Sequence, residues 1–291
     1  MKYLLTLIFL MVAVTSCKKD RPQPLIMEKE TTSTDFQKDS LVVTKPDKDI
    51  TVEKAIEIKQ KELKEKKDDR EHLGPLIADK EFYKETDFYV LDFHYPFLNE
   101  SMKPTHSNFN QYISQNYLNI SEVEAQILED KELLCDTLRI HQIREKRLVR
   151  YKIYQVNEQL ISVLFYKENY YSGAMHPAYT FDCLNFELQQ GRFMKYEDFF
   201  NTGSEAELRN ILNETLSERI DLGEVFYDCW EITVDDFFRY KNNFVVDGQS
   251  VEFYFEDCVI CPAYTGEYSV VIPLEKLVSV LRHYPLNPLK S

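Results

Sequence analysis

The sequence predicts an α+β fold, a mainly antiparallel sheet with packed helices arranged as two adjoining modules. Three observations carry this reading. Strand-like and helix-like runs come in mixed order rather than in strict alternation. Successive strand-like runs are joined by turns too short for crossovers, at Asn157-Glu158 and Asp247-Gly248. The part of the chain that holds them is rich in Tyr and Phe, poor in Gly and Trp, and shows no repeat at a fixed period.

Each element follows from its local pattern. Residues 87–95 alternate enough for a strand, with Pro96 expected to end it. Residues 107–118 place Phe109, Tyr112, Ile113 and Tyr117 at helical spacing. Ser121, with Glu124 three residues on, reads as the capping box of a second helix. Residues 146–157 and 159–167 are rich in Val, Ile, Leu and Tyr and form a hairpin. Residues 178–188 are a further strand, closed by a turn at Gln189-Gln190-Gly191. Residues 204–220 form an amphipathic helix, and residues 233–240 a short one with Asp235 and Asp236 where the helix dipole favours them. Residues 244–246 and 250–255 make a hairpin around Asp247-Gly248. Residues 268–272 are a strand, and residues 274–281 a last helix.

The N-terminus is of another kind. After Lys2 comes a nearly uncharged apolar run over residues 4–14. It is too short to span a bilayer, which takes ~20 apolar residues, and has the length of a secretory signal. Val14-Thr15-Ser16-Cys17 resembles the bacterial lipobox. That resemblance implies cleavage before Cys17, acylation of Cys17 with palmitate-type chains, and export to a bacterial envelope membrane. Several acyl chains on one residue anchor stably where a single chain is marginal. Residues 17–80 then read as lipid anchor and charged stalk. Up to Arg70 only Phe36 is aromatic, so the segment cannot bury enough apolar surface to offset its ordering entropy. Within it, residues 51–70 alternate in charge and are expected as a solvated, marginal helix.

Charge is unevenly shared. The chain carries −14; residues 18–70 hold 14 basic and 13 acidic side chains and Lys2 is the other charge before residue 71, which leaves 20 basic against 36 acidic in residues 71–291. A body near −16 repels nucleic acid and steers cationic partners.

Several short motifs stand in a fixed order: Tyr171-Ser172-Gly173-Ala174-Met175-His176-Pro177, then Asn185-Phe186-Glu187-Leu188, Gly191 and Tyr196-Glu197-Asp198-Phe199-Phe200. Further on come Phe253-Tyr254-Phe255, Cys261-Pro262-Ala263-Tyr264, Gly266 and Val270-Val271-Ile272-Pro273-Leu274. Together they resemble the extracytoplasmic domain of RsiV-like anti-sigma factors, a domain type also found beside the catalytic domain of PdaC-like peptidoglycan deacetylases. Upstream, Tyr95-Pro96-Phe97-Leu98 and Asn110-Gln111-Tyr112-Ile113 resemble the small module that usually precedes it. The departure is at Ala174 and Met175, where the family usually has a Gly pair before the histidine. The resemblance implies a small N-terminal α+β module over residues 81–167 and an RsiV-like domain over residues 168–285, preceded by the signal of residues 1–16. It also implies a binding module, since RsiV-like domains bind lysozyme; the sigma-binding segment and the deacetylase domain have no counterpart here.

The binding residues expected on this basis are Tyr170, Tyr171, Gly173, His176, Pro262, Tyr264 and Gly266. The ligand expected is a cationic protein such as lysozyme, or a cell-wall glycan such as peptidoglycan. No cofactor, metal or nucleic-acid partner is expected. The alternative function is an envelope hydrolase or deacetylase using His176 and nearby carboxylates. Binding is preferred because the histidines show no zinc spacing and the chain holds neither a Gly-x-Ser-x-Gly elbow nor a phosphate loop. His176 itself is read first as a loop histidine that fixes its turn.

Cys135, Cys183, Cys229, Cys258 and Cys261 remain after Cys17, an odd set that leaves at least one thiol free. Cys258 and Cys261 have CxxC spacing without a thioredoxin-like pattern, so a single disulfide or buried thiols are preferred over a redox or zinc site, and connectivity stays open.

Overall fold

The computed structural model describes residues 61, 66–133, 144–156, 158–171, 174, 177–225 and 227–282. The signal segment, Cys17, residues 18–60 and residues 62–65 of the expected marginal helix lie outside them. Residues 66–70, the end of that helix, are not helical. They dock on the sheet, and Leu73 and Ile77 beyond them are buried. Packed residues thus lie ahead of residue 81, where the resemblance implies that the N-terminal module starts.

The fold is α+β and mainly antiparallel. Six strands stand side by side in chain order: β1 (Ile77–Glu85), β2 (Tyr89–Leu98), β3 (Glu145–Gln155), β4 (Leu160–Tyr170), β5 (Ala178–Glu187) and β6 (Arg192–Met194). All neighbours are antiparallel except β2 and β3, which run parallel over Tyr89–Phe93 and Glu145–Val149. A parallel pair needs a crossover. Here it carries α1 (His106–Tyr112), which continues as a π-helical turn (Ile113–Leu118), and α2 (Ile120–Glu132).

Several local expectations change. Pro96 lies inside β2, opposite Asp79, beyond the stretch that pairs with β3. The strand there has a neighbour on one side only, where a residue without an N–H is tolerated. The helix expected over residues 107–118 is wound as a π turn in its second half. The capping box at Ser121 and Glu124 does not form: the helix starts at Ile120 after Asn119 in the left-handed region at φ +35°. Glu124 instead accepts a hydrogen bond from the Tyr89 hydroxyl at 2.9 Å and pairs with Lys84 at 2.5 Å. The boundary expected between residues 167 and 168 falls within β4.

Period 2 sorts the side chains of β4 between two cores. Ile161, Val163 and Phe165 join Leu91, Phe93, Phe109 and Ile113 beneath the helices. Leu164 and Tyr166 point the other way, into a cluster with Tyr154, Phe181, Tyr254 and Tyr268. One glycine fixes how α1 sits on this frame. A Cβ at Gly191, which is at φ +66°, would lie 2.5 Å from the Thr105 Cβ.

A second sheet orders β7 (Phe244–Val246), β8 (Ser250–Tyr254) and β9 (Ser269–Pro273), all antiparallel. It packs with α3 (Tyr196–Phe199), α4 (Glu205–Asp221) and α5 (Val234–Tyr240) around Phe199, Phe200, Phe244 and Phe253. Each such ring contributes ~1.5–3 kcal/mol by leaving water. Helix α5 stands where expected and starts in a capping box, with Thr233 Oγ1 accepting from Asp236 N at 3.1 Å. Polar side chains stitch the two sheets together. Asn243 Nδ2 donates to Phe181 O at 2.8 Å, Cys183 N donates to Asn243 Oδ1 at 2.8 Å, and Val246 N donates to Ser162 Oγ at 3.0 Å. The expected last helix is only a 3₁₀ turn (Leu274–Leu277). Past it the backbone bonds to another segment: Asn201 N donates to Val280 O at 2.8 Å and Arg282 N to Phe199 O at 2.9 Å. Among the described residues no helix is long and apolar enough to cross a membrane.

Candidate functional site

The expected binding residues lie in two loops, and the structure treats them differently. Residues 170–177 connect β4 to β5; Gly173 and His176 lie outside the described residues. Tyr170 and Tyr171, adjacent in sequence, diverge as strand geometry requires. Tyr170 bonds to Glu168, and burial followed by that bond pushes its hydroxyl up to about 12. Tyr171 lies under the Arg147 guanidinium, 4.0 Å from the ring centre. Arg147 in turn pairs with Glu145 at 2.8 Å, both buried. Tyr171 is therefore a lid on a buried ion pair.

The second loop is built for display. Pro262 opens a 3₁₀ turn (Ala263–Thr265), whose Thr265 hydroxyl donates back to Pro262 O at 2.8 Å. Gly266 closes it in the left-handed region at φ +64°, a conformation glycine adopts without strain. Between them stands Tyr264, whose hydroxyl donates to Asp228. That bond, more than burial, raises the Tyr264 hydroxyl to about 12.

Asp228 belongs to the segment after α4, and a disulfide between Cys229 and Cys261 locks the two segments together. Cys258 is disulfide-bonded as well, and among the described residues Cys183 is the free, buried thiol. The CxxC pair therefore does not close on itself, and Cys135 lies outside the described residues. Trp230 completes the lock, donating from its backbone N to Ile260 O at 2.9 Å and from Nε1 to Val259 O at 2.7 Å.

This lobe is acidic and aromatic. Residues 221–231 and 256–267 hold Asp221, Glu224, Asp228, Glu231, Glu256, Asp257 and Glu267, and neither segment contains a lysine or arginine. Arg219, just outside, reaches Glu267 at 3.1 Å and Glu224 at 3.6 Å. Tyr227 stands on the lobe at 82 % exposure, and Leu222 is exposed as well. Tyr227 and Asp228 were not among the expected residues. The signal for them was the aromatic and acidic run that leads into Cys229, which becomes informative once Cys229 is known to bond Cys261.

The two loops meet through aromatic rings at their bases. Tyr179, at the start of β5, lies 6.5 Å from Tyr268 and 5.9 Å from Tyr166, and Phe181 lies 4.7 Å from Tyr268. Pro262, Tyr264 and Gly266 are thus brought to the disulfide-tied lobe, whereas Tyr171 is held on the helical side of the sheet. Among the described residues no group of three His, Cys, Asp or Glu side chains could hold a metal ion.

No family model matches the chain, and no curated protein matches it. Solved structures do. A DUF3298 family protein from Pseudomonas aeruginosa PAO1 aligns with a TM-score of 0.51 and 11 % identity over 72 % of this chain and 95 % of that one. A DUF3298 family member from Bacteroides fragilis NCTC 9343 aligns with a TM-score of 0.49 and 17 % identity over 74 % of this chain and 96 % of that one. At this identity the likeness to the Pseudomonas protein is one of fold: the chain is folded like DUF3298 proteins, the fold of the RsiV-like domain that its motifs resemble.

Proposed function

We propose that this protein is a lipid-anchored binding protein of the bacterial envelope that captures a cationic protein, lysozyme being the model partner, on the lobe around Cys229 and Cys261. The observation that carries the reading is the lobe itself. Two segments with seven carboxylates and no lysine or arginine carry exposed Tyr227 and the turn that presents Tyr264, a disulfide holds them together, and Arg219 pairs with two of the seven. A preformed surface loses little ordering entropy on binding, and Tyr is a frequent hot-spot residue. The disulfides also support an oxidising compartment, as export past the lipobox at Cys17 requires.

Surface plasmon resonance of the protein against immobilised lysozyme tests the capture. The association rate should fall steeply between low salt and 0.15 M, where screening shortens to ~8 Å. Tyr264→Ala and Tyr227→Ala should each weaken the complex by about tenfold or more, and Tyr227→Ala, at an exposed site, should do so without lowering the unfolding temperature. Salt-independent association, or unchanged affinity in both variants, would sink the reading. Anchoring has its own test. Labelled palmitate should enter the protein and fail to enter Cys17→Ala.

A further inference from the structure

We propose that the groove between the 66–72 segment and the β3–β4 face binds an oligosaccharide carrying carboxylate groups. This site stands apart from the lobe, and its argument does not use the lobe reading.

The groove is built by strand geometry and by one edge. Strand β3 pairs with β2 only through Val149, so its far half would present unpaired backbone groups. The 66–72 segment covers them: Asp69 N donates to Ile153 O at 2.9 Å, Gln155 N donates to Asp69 Oδ2 at 2.7 Å, and Arg70 Nη2 donates to Tyr151 O at 2.5 Å. Docked there, the segment forms one wall. Alternation along β3 and β4 puts Leu148, Arg150, Lys152, Leu164, Tyr166 and Glu168 on the other. The space between is about 840 Å³, within the range of small-ligand sites.

Its charge runs against the rest of the molecule. Five cations line the groove, namely Lys66, Lys67, Arg70, Arg150 and Lys152. Three carboxylates do so, Asp68, Glu71 and Glu168. Lys66 also pairs with Glu252, Arg70 with Asp68 at 3.5 Å and Arg150 with Asp92 at 2.6 Å, so the groove gathers cations, balanced from behind, in a chain of net −14. The cations also crowd one another. Burial pulls the Lys152 ammonium below its ordinary range; the Asp68 charge opposes, and the charges of Lys66 and Arg70 add smaller pulls downward. An anion between these groups would relieve that repulsion.

The mixture of signs chooses the class of anion. A densely charged phosphate chain would meet the three carboxylates at close range. A sugar chain with spaced carboxylates would place each on a lysine or arginine and donate hydroxyl hydrogen bonds to Asp68 and Glu71. Half-buried Leu148 supplies apolar surface for a sugar C–H face.

Calorimetric titration of the full chain with tetragalacturonate tests this, alongside its methyl ester and tripolyphosphate. Tetragalacturonate should bind, the neutral ester should bind at least about tenfold more weakly, and Lys67→Glu and Lys152→Gln should each weaken the acid by about tenfold. Lys67 is exposed, so its variant should keep the native unfolding temperature and decides the matter if Lys152→Gln does not fold. The proposal is overturned if tetragalacturonate fails to bind at millimolar concentration or if the ester binds as well. Tighter binding of tripolyphosphate, or unchanged affinity in Lys67→Glu, overturns it equally.

Discussion

Asp69 completes the edge of β3 at Gln155. Its backbone N donates to Ile153 O at 2.9 Å, and its carboxylate accepts from Gln155 N at 2.7 Å. A single residue thus serves two rungs of a ladder that β2 leaves open. Asp69→Ala removes the carboxylate and strands the Gln155 N–H, at a cost of about 1–3 kcal/mol. Urea unfolding should show that loss, and trypsin should cut faster at Lys66, Lys67 and Arg70. Unchanged proteolysis would mean the segment docks by other means.

Gly191 is held against α1. Alanine there would press a methyl group within 2.5 Å of the Thr105 Cβ at a residue with φ +66°. Left-handed strain of ~1–2 kcal/mol adds to overpacking of ~1–3 kcal/mol. Gly191→Ala should therefore lower stability by about 2–5 kcal/mol, while Gly203→Ala, where nothing lies within 4 Å, should cost only the strain. Equal losses in the two variants would refute the close-approach argument.

The Cys229–Cys261 bond closes a loop with a sequence separation of 32. Replacing both cysteines with serine should cost about 3–4 kcal/mol through the entropy of the unfolded chain. The same double variant should weaken lysozyme capture, since the lobe is then no longer preformed. Full affinity in the folded double variant would show that the bond serves stability alone.

Cys183 is free and fully buried, and burial raises its thiol well above the ordinary value. Because the thiolate is the reactive form, iodoacetamide should leave Cys183 unmodified in the native protein and alkylate it in urea. Mass spectrometry of the peptide reads this directly. Rapid native alkylation would contradict the packing between β5 and β7.

Glu124 titrates below the ordinary carboxylate range. The hydrogen bond from Lys84 is the chief cause, burial opposes it, and the Tyr89 hydroxyl adds to it. A carboxylate with a depressed folded pKa gives stability that is present above its unfolded pKa and lost as pH falls through the folded one. The stability difference between the protein and Glu124→Gln should therefore be constant from neutral pH down to the ordinary carboxylate range and shrink below it. A difference that persists in strong acid would remove ionisation from the account.

Much of the fold was legible in the residues. The capped helix at Thr233, the hairpin at Asp247-Gly248 and the long pair β3–β4 rest on local chemistry, so they stand where expected. Strand β1 was not legible. Of its nine residues only Ile77 is buried, because an edge strand needs one neighbour and can keep its charges in water. The last helix failed for the opposite reason, since residues 280–282 found backbone partners in residues 199–201.

The sequence by itself determined the α+β class, the acidic body and the hairpin at Asp247-Gly248. These depend on composition or on contacts within a few residues. Only the tertiary structure decided that Cys261 pairs with Cys229, that Tyr170 and Tyr171 part to opposite sides of β4, and that Lys66 and Lys67 face Arg150 and Lys152 across a groove. Each of these joins residues far apart in the chain or splits residues that are adjacent. Such relations follow from strand register and edge pairing, which are settled by the packing of the whole sheet rather than by any one segment.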